Sequence, residues 1–419
     1  MSPIGTKVIT FKFIKLAGYG QLQEVETADS IVPLETAEEL SGFCDRAKGS
    51  QYIGFDTEFV SENRYRPELC LLQVATDSEL VIIDTLKIKD ISPFWQMLTS
   101  GDHITIAHAA REEFLFCFRD IQQRPKNLVD VQLAAGFVGF DYPASYSNIV
   151  SAILGEFVSK GETRTDWAKR PLSDRQLKYA AGDVEHLTPL CEVVCGQLEK
   201  SGRMEWYREE VNKWMDDLER TESEPQWHRI SGASRLNRRS LGILNELWLL
   251  RDRTAKDKNK SPRRIIPDDL MIELSKRGSA KPSSFKSIRG FDSRVARWLT
   301  DDIGAAISKA NELSDNQLPD KMQRSKSINL GLVGQFLSTI LGVVCQQKKI
   351  SASLVGSAQE IRNYAAWRMG QLPKKPAPAL ASGWRAEVIG EAVDLAINGK
   401  LALRVGDAKS DNPLTIEEL

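Results

Sequence analysis

Two carboxylates in one short segment are the clearest chemical signal in this 419-residue chain. The segment Tyr52–Phe59 places Asp56 and Glu58 two positions apart in a stretch that favours a strand. Alternate residues of a strand face the same side, so the two carboxylates would stand side by side. Like charges this close repel unless a cation lies between them, and carboxylates are ligands of hard ions such as Mg²⁺ or Mn²⁺. The pattern predicts a metal site, with a solvent-facing edge strand as the alternative.

Two further segments carry acids that could complete such a site. Glu112 and Glu113 fall in the first turn of a predicted helix, where the helix dipole favours acids in any case. That helix follows a strand, so either acid could reach a crevice at the edge of the sheet. Tyr179 and Asp183 are four residues apart in a helix predicted over residues 173–199, so the phenol and the carboxylate share one face.

The segments around these residues predict an α/β domain with a mixed sheet flanked by helices. Thr36 and Glu39 have the spacing of a capping box, and Asp130 is placed to cap a further helix. Strand-like runs are followed by alternating helices and strands, an order typical of a mixed sheet. The predicted strands cover residues 51–59, 69–75, 80–83 and 103–107, and the intervening helices cover 91–98 and 110–118.

The C-terminal half of the chain has an all-helical pattern. Residues 241–310 and 329–403 each predict a group of helices, and Asp268 is placed to cap one of them. Between Arg235 and Leu299 there are 17 Lys and Arg residues against 7 Asp and Glu, although the whole chain has a net charge of −1. A basic helical module on an acidic body is typical of a nucleic-acid enzyme with a separate holding domain, and a solvated helical surface is the alternative.

Cysteine and histidine usage argues against zinc and against disulfides. The six cysteines are scattered, and Cys191 and Cys195, four apart on a predicted helix, indicate core packing. The four histidines form no cluster with cysteine. No run of about 18 apolar residues and no signal-peptide pattern occurs, so we expect no membrane partner. We expect the protein to be located in a reducing cytoplasm.

Together the three acidic segments resemble the DEDD 3′–5′ exonucleases, in the Tyr-bearing branch that includes ribonuclease D. The resemblance covers about residues 25–200 and depends on Phe55–Phe59, His108 with Glu113, Tyr179 with Asp183, and the segment from Thr163 to Leu172. Residues 235–310 look like the helicase-and-RNase-D C-terminal (HRDC) domain. The tail, with Gly383–Arg385, is similar to a second, degenerate copy of it. The resemblance implies a ribonuclease H-like sheet followed by one or two small all-α HRDC-type domains.

The resemblance also implies two divalent metal ions, Mg²⁺ or Mn²⁺, and a set of catalytic residues. Asp56, Glu58 and Asp183 would hold one ion, with Asp56 shared by the second. The motif-two acid, which is Asp in the family and Glu113 here, would hold the second ion through water. Glu112 could substitute, although the register favours Glu113. Tyr179 would orient the attacking water.

The implied reaction is removal of nucleoside 5′-monophosphates from RNA 3′ ends, in the maturation of tRNA or other structured RNA. The expected partner is RNA with a single-stranded 3′ end, and no obligate protein partner is expected. Arg64, Arg66, Arg164, Trp167 and Arg170 are candidates for contacting the 3′ strand by phosphate pairing and stacking. For Trp167 a place in the core is the alternative.

The predicted basic helices suggest a deletion experiment. Removing residues 235–419 should weaken RNA binding more than it slows chemistry, because the basic helices would anchor the RNA. A DNA exonuclease remains an alternative, and so does a non-catalytic nucleic-acid-binding protein in which Glu113 marks a lost site.

The same patterns set the expected domain limits. The expected segments are an N-terminal extension (1–24), the exonuclease domain (25–212), a linker (213–234), the HRDC domain (235–315), a linker (316–328), a second HRDC-like domain (329–405) and a tail (406–419).

Overall fold

A computed structural model describes most of the chain, and its residues divide into two compact units. The first unit comprises Met1–Glu58, Leu69–Met215 and Ser327–Leu419, and the second comprises Phe59–Glu68 and Asp216–Lys326. In the part described, no helix combines the length and the apolarity needed to cross a membrane. The residues described are 9–10, 31–158, 161, 165–285, 287–288, 291, 293–322, 330–410 and 412–419.

A six-stranded mixed sheet forms the core of the first unit. Its strand order is β1-β4-β3-β2-β5-β6, with β2, β5 and β6 parallel and with β4 antiparallel to both β1 and β3. Phe55 of the sheet packs edge to face against Phe94 and Trp95 of the helix over residues 92–100. All three rings are buried, and the two ring contacts join the sheet to that helix. The strands are β1 (Ile9–Thr10), β2 (Tyr52–Val60), β3 (Glu68–Thr76), β4 (Glu79–Ile83), β5 (Ile104–Ala107) and β6 (Leu128–Asp130).

The flanking helices begin where the sequence predicts caps. Thr36 and Glu39 form the expected capping box, and Asp130 accepts hydrogen bonds from the backbone of Gln132 and Leu133. The predicted mixed sheet flanked by helices is confirmed. The helices are α1 (Ala37–Ala47), α2 (Ser92–Ser100), α3 (Arg111–Ile121), α4 (Val131–Phe137), α5 (Tyr146–Leu154), α6 (Asp174–Glu185), α7 (Leu187–Lys200) and α8 (Met204–Ser223).

The single long helix predicted over residues 173–199 is wrong, because the chain breaks at His186 into α6 and α7. Pro189, in the first turn of α7, has no N–H to donate to the carbonyl of Glu185, and its ring clashes with that carbonyl in a continuous helix. At the break, the backbone N–H of His186 donates a hydrogen bond of 3.1 Å to the Tyr146 hydroxyl. The break ends α6 just after Asp183.

The second unit is a helical bundle with its own apolar core, which includes Leu247, Leu270 and Ile303. Asp268 does not cap a helix as predicted. It is the first residue of α11, and its carboxylate instead accepts hydrogen bonds from Arg251 and Arg263. Arg251 is only 6 % exposed, and a buried guanidinium requires an anion. The helices are α9 (Arg238–Asp257), α10 (Pro262–Ile265), α11 (Asp268–Arg277) and α12 (Ser293–Glu312).

The C-terminal segment belongs to the first unit and ends in a hairpin. The prediction of a helical region up to Leu403 is wrong at its end, because residues 401–405 pair as a strand with residues 414–418. Gly399, at φ 70°, ends the preceding helix and allows the chain to turn. The elements are α13 (Gly331–Gln347), α14 (Ala352–Val355), α15 (Ala358–Arg368), α16 (Gly383–Ile397), β7 (Leu401–Val405) and β8 (Leu414–Glu418).

The start of α16 packs against α4 and α8 of the same unit. Trp384 is 1 % exposed, with its ring 4.8 Å from Phe137 of α4 and stacked on Trp206 of α8. Its indole N–H donates to Glu210, which Arg385 also binds through both carboxylate oxygens at 2.6 and 2.8 Å. The C-terminal helices are therefore part of the packing of the first unit.

Candidate active site

Three acids meet at the middle of the sheet. Asp56 and Glu58 occupy alternate positions of β2, a central strand, and Asp183 lies near the end of α6. One carboxylate oxygen from each of the three lies within 4.8 Å of those of the other two. All three side chains are partly accessible to solvent. The strand places Asp56 and Glu58 on one face, and the end of α6 brings Asp183 to them. Asp56 and Asp183 are 127 positions apart in sequence.

The electrostatics of this cluster favour a cation. Burial, together with repulsion from Asp56 and Asp183, raises the pKa of Glu58 from 4.5 to about 9. Burial raises the pKa of Asp183 to about 7, against the opposing effect of a hydrogen bond from Tyr179. Among the residues that the structure describes, no Lys or Arg side chain pairs with any of the three. An all-oxygen, uncompensated donor set fits a hard divalent metal ion.

Glu113 adds a fourth carboxylate, close enough to Asp56 and Glu58 for their charges to interact. It lies in the first turn of α3, is 5 % exposed, and accepts a hydrogen bond of 2.7 Å from the Thr57 hydroxyl. Burial and the charge of Asp56 raise its pKa to about 8. Glu112 is more exposed and forms ion pairs with Arg111 and Arg119, so Glu113 is the better candidate for the site.

Asp130 holds the turn from which Glu113 projects. Its two carboxylate oxygens accept the N–H groups of Ala109 and Ala110 at 3.1 and 3.0 Å, immediately before α3. Ala109 has a φ of 55°, a conformation that a non-glycine residue adopts only when its surroundings impose it. The sequence identifies Asp130 only as a helix cap, since its contacts with the turn before α3 join residues 20 and 21 positions apart.

Tyr179 lies one helical turn before Asp183 and forms a hydrogen bond with its carboxylate. Burial and the neighbouring carboxylates, first among them Asp183, raise the pKa of the phenol. The hydroxyl is therefore protonated at neutral pH, and the phenol can act as a hydrogen-bond donor at the edge of the acidic cluster. This arrangement follows from the four-residue spacing in α6.

The residues predicted to contact nucleic acid lie in different surroundings. Arg64 and Arg66 lie in the segment Phe59–Glu68 of the second unit, where they pair with Glu68 and Glu222. Tyr65, between them, donates a hydrogen bond of 2.9 Å to Asp252 of α9. Arg164 lies outside the described residues.

Trp167 is buried, and the Arg170 side chain, although 20% exposed, is bound by partners within the protein. Trp167 is 2 % exposed, as in the core alternative for this residue. The Arg170 guanidinium is bound to Asp84 and to backbone carbonyls. We therefore do not retain these two residues among the proposed RNA contacts. Asp84, which the sequence does not single out, is the anion that holds Arg170.

Comparison with known families agrees with the two-part organisation. A family described as 3′–5′ exonuclease matches residues 31–199, which contain all four acids and Tyr179. The HRDC domain family matches residues 240–307, in the second unit.

Individual relatives extend the similarity over most of the chain. A ribonuclease D of Sphingobium indicum is 32% identical over 391 residues, covering 90% of this chain and 98% of the relative. A ribonuclease D of Gluconacetobacter diazotrophicus is 31% identical over 383 residues, covering 89% and 94%. The crystal structure of Escherichia coli RNase D, described as an exoribonuclease involved in structured RNA processing, superimposes with a TM-score of 0.75 at 26% identity, covering 88% of this chain and 99% of that one.

Proposed function

Since this chain belongs to the ribonuclease D family and is a 3′–5′ exoribonuclease, we propose that it removes nucleoside 5′-monophosphates one at a time from the 3′ ends of structured RNAs such as tRNA precursors. The observation that carries the proposal is the cluster of Asp56, Glu58 and Asp183, which has no cationic partner among the described residues, with Tyr179 at its edge. We place this activity in the cytoplasm.

The donor set supports two divalent ions, Mg²⁺ or Mn²⁺. Asp56, Glu58 and Asp183 would hold one ion, and Asp56 would also contact the second. Glu113 would hold the second ion through water, since its carboxylate lies near Asp56 and Glu58 and is fixed by Thr57. When bound, such ions stabilise the charge on the phosphate and supply an activated water.

The protein's own groups align the reactants. The Tyr179 hydroxyl orients the attacking water for in-line displacement, and Asp183 holds that hydroxyl in place. Asp130 and Thr57 fix Glu113 from two sides, through the turn before α3 and through a direct hydrogen bond. A glutamate so firmly held argues against a decayed site, although the family has aspartate at this position.

The Tyr179 hydroxyl can be tested separately from binding. Tyr179→Phe should lower the single-turnover cleavage rate by roughly 10²-fold, the usual range for losing a positioned proton-transfer or hydrogen-bonding group, with little change in RNA affinity. Rapid-quench measurement of the 3′-terminal nucleotide would measure the rate. Tyr364→Phe, which removes a hydroxyl from the C-terminal helices, is the matched control. An unchanged rate in Tyr179→Phe would remove this residue from the mechanism.

The second unit supplies a basic surface that we propose anchors the RNA body. Arg253, Lys256 and Lys260 are exposed at the end of α9 and in the turn after it, and Arg263 and Arg264 follow in α10. Phosphate contacts by such residues release counterions, so the affinity of the RNA depends on salt.

Neutralising three of these charges should weaken RNA binding without slowing chemistry. In the triple variant Lys256→Gln, Lys260→Gln, Arg264→Gln, the slope of log affinity against log salt should become less negative by about 0.7 to 0.9 for each lost phosphate contact. Fluorescence anisotropy at several salt concentrations would measure the slope. The control changes three exposed lysines of the first unit by the same charge (Lys374→Gln, Lys375→Gln, Lys400→Gln). Equal losses of RNA affinity in the two triple variants would refute anchoring of the RNA by the second unit.

A further inference from the structure

The Arg170 guanidinium is held by an unusually complete set of acceptors. Its Nε and Nη2 atoms donate to the two carboxylate oxygens of Asp84 at 2.6 and 2.7 Å. Nη1 donates to the carbonyls of Trp167 and Lys169, and Nη2 also donates to the carbonyl of Cys70. A guanidinium has five N–H donors, and all five are used here. Asp84 is 1 % exposed and follows β4, so the sheet provides the anchor.

The anchored segment leads to Tyr179. The Trp167 carbonyl, fixed by Arg170 at 2.6 Å, belongs to a residue whose indole lies against the Tyr179 ring, with centroids 6.1 Å apart and planes inclined by 38°. The Tyr179 hydroxyl in turn bonds to Asp183. A continuous series of contacts thus runs from the sheet through Asp84, Arg170 and Trp167 to the tyrosine at the acidic cluster.

Stability alone is a weak explanation for this ion pair. The desolvation of two charges largely offsets their attraction, so that apolar replacements of buried pairs are often neutral or stabilising. What a five-donor guanidinium does provide is a fixed direction for every carbonyl it binds. A shift of about 1 Å in a positioned group can cost about 10²-fold in rate, so fixing Trp167 against Tyr179 matters for the reaction.

We propose that Asp84, Arg170 and Trp167 are positioning residues that set the orientation of the Tyr179 phenol toward the attacking water. The proposal rests on the function proposed above, because Tyr179 acts only if the protein is a metal-dependent exonuclease. It assigns the segment 167–170 to catalysis through Tyr179 and not to RNA contact.

The test is a double-mutant cycle. Arg170→Lys keeps the charge but loses the planar fork, and should lower the single-turnover rate by roughly 10- to 100-fold with unchanged RNA affinity. In the Tyr179→Phe background the same substitution should have almost no further effect, because the hydroxyl that it misplaces is already absent. Arg46→Lys is the matched control, since Arg46 makes a similar two-bond contact with Glu79 at the other end of β4.

Two further measurements keep the outcome decisive. Trp167→Phe should show the same coupling to Tyr179→Phe if Arg170→Lys does not fold. The ¹⁹F signal of 3-fluorotyrosine at position 179 should shift in Arg170→Lys and not in Arg46→Lys, a result that does not depend on activity. If the wild type is inactive on RNA while this signal moves, the proposed function fails and so does the role of Tyr179 toward an attacking water, whereas the anchoring of the Tyr179 ring through Arg170 stands. Equal rate losses with and without the Tyr179 hydroxyl, or an unmoved signal, would overturn the positioning.

Discussion

Asp56→Asn or Asp183→Asn should abolish metal-dependent cleavage and at the same time stabilise the metal-free protein. Each substitution keeps the shape of the side chain but removes one negative charge from the cluster. Without that charge the site cannot hold its cation in place, and the rate of release of the 3′-terminal nucleotide should fall by at least about 10²- to 10³-fold. Single-turnover cleavage of a 5′-labelled RNA would measure the loss.

The stability change has the opposite sign because the carboxylates repel one another. The pKa of Glu58, 4.5 in an ordinary environment, is raised to about 9 in the folded protein. A group whose pKa is raised by folding binds more protons in the folded state, so its contribution to stability is present below about pH 4.5 and is lost as the pH rises to about 9. The free energy of unfolding of the metal-free wild type should fall over this range, and Mg²⁺ should reduce the fall.

Urea unfolding with EDTA, at pH 6 and at pH 8.5 as roughly chosen points within that window, would measure the stability effect. Asp45→Asn, at an exposed position of α1 outside the cluster, is the control that should change neither activity nor this pH dependence. Normal turnover in Asp183→Asn, or a metal-free variant less stable than the wild type, would show that the cluster is not an electrostatically strained metal site.

Trp384→Ala should destabilise the exonuclease domain although residue 384 lies far from it in sequence. Trp384 fills the space between Phe137 and Trp206, and its loss leaves a cavity and removes one hydrogen-bond donor from Glu210. Truncation of a buried tryptophan costs about 3–5 kcal/mol, a large part of the stability of a typical domain. Activity should therefore be lost at a lower temperature than in the wild type.

A second tryptophan of the C-terminal helices provides the control. Trp367, on α15, is only partly buried; its ring stacks on Tyr364, and its indole N–H donates to the carbonyl of Lys374. Trp367→Ala should have a smaller effect on the thermal inactivation of cleavage. Loss of the C-terminal helices in Trp384→Ala with the exonuclease activity retained at its normal temperature would contradict a single cooperative first unit.

The packing of Trp384 and Arg385 changes the result that we expect from deleting residues 235–419. The deletion removes the second unit's basic surface, but it also removes Trp384 and Arg385 from the first unit. We therefore expect the truncated protein to be unstable, and RNA anchoring is better tested by substitutions in the second unit.

The parts of the site that could be predicted are those with short spacing. Asp56 and Glu58 are two residues apart on one strand, and Tyr179 and Asp183 are one helical turn apart, so strand and helix periodicity alone place each pair on one face. The break at His186 also had a local signal, Pro189, which the helical pattern of the surrounding residues outweighed.

The remaining features depend on partners that local patterns do not reveal. Arg170 binds Asp84 across 86 positions, Arg385 binds Glu210 across 175, and Tyr65 binds Asp252 across 187. In the sequence, Arg170 and Trp167 have the composition of an RNA-contacting loop, because an arginine and an aromatic residue suit both phosphate binding and burial against an acid. Only the fold distinguishes these two uses.

Incubation of the purified protein with a 5′-labelled RNA bearing a single-stranded 3′ end, and with its DNA counterpart, tests the metal-dependent exoribonuclease activity most directly. Each substrate is incubated with Mg²⁺, with Mn²⁺ and with EDTA. We expect a ladder of products shortened one nucleotide at a time from the 3′ end of the RNA, with nucleoside 5′-monophosphates released and no products in EDTA. RNA that is bound but left intact with either metal, or shortening that persists in EDTA, would contradict the function assigned to the acidic cluster.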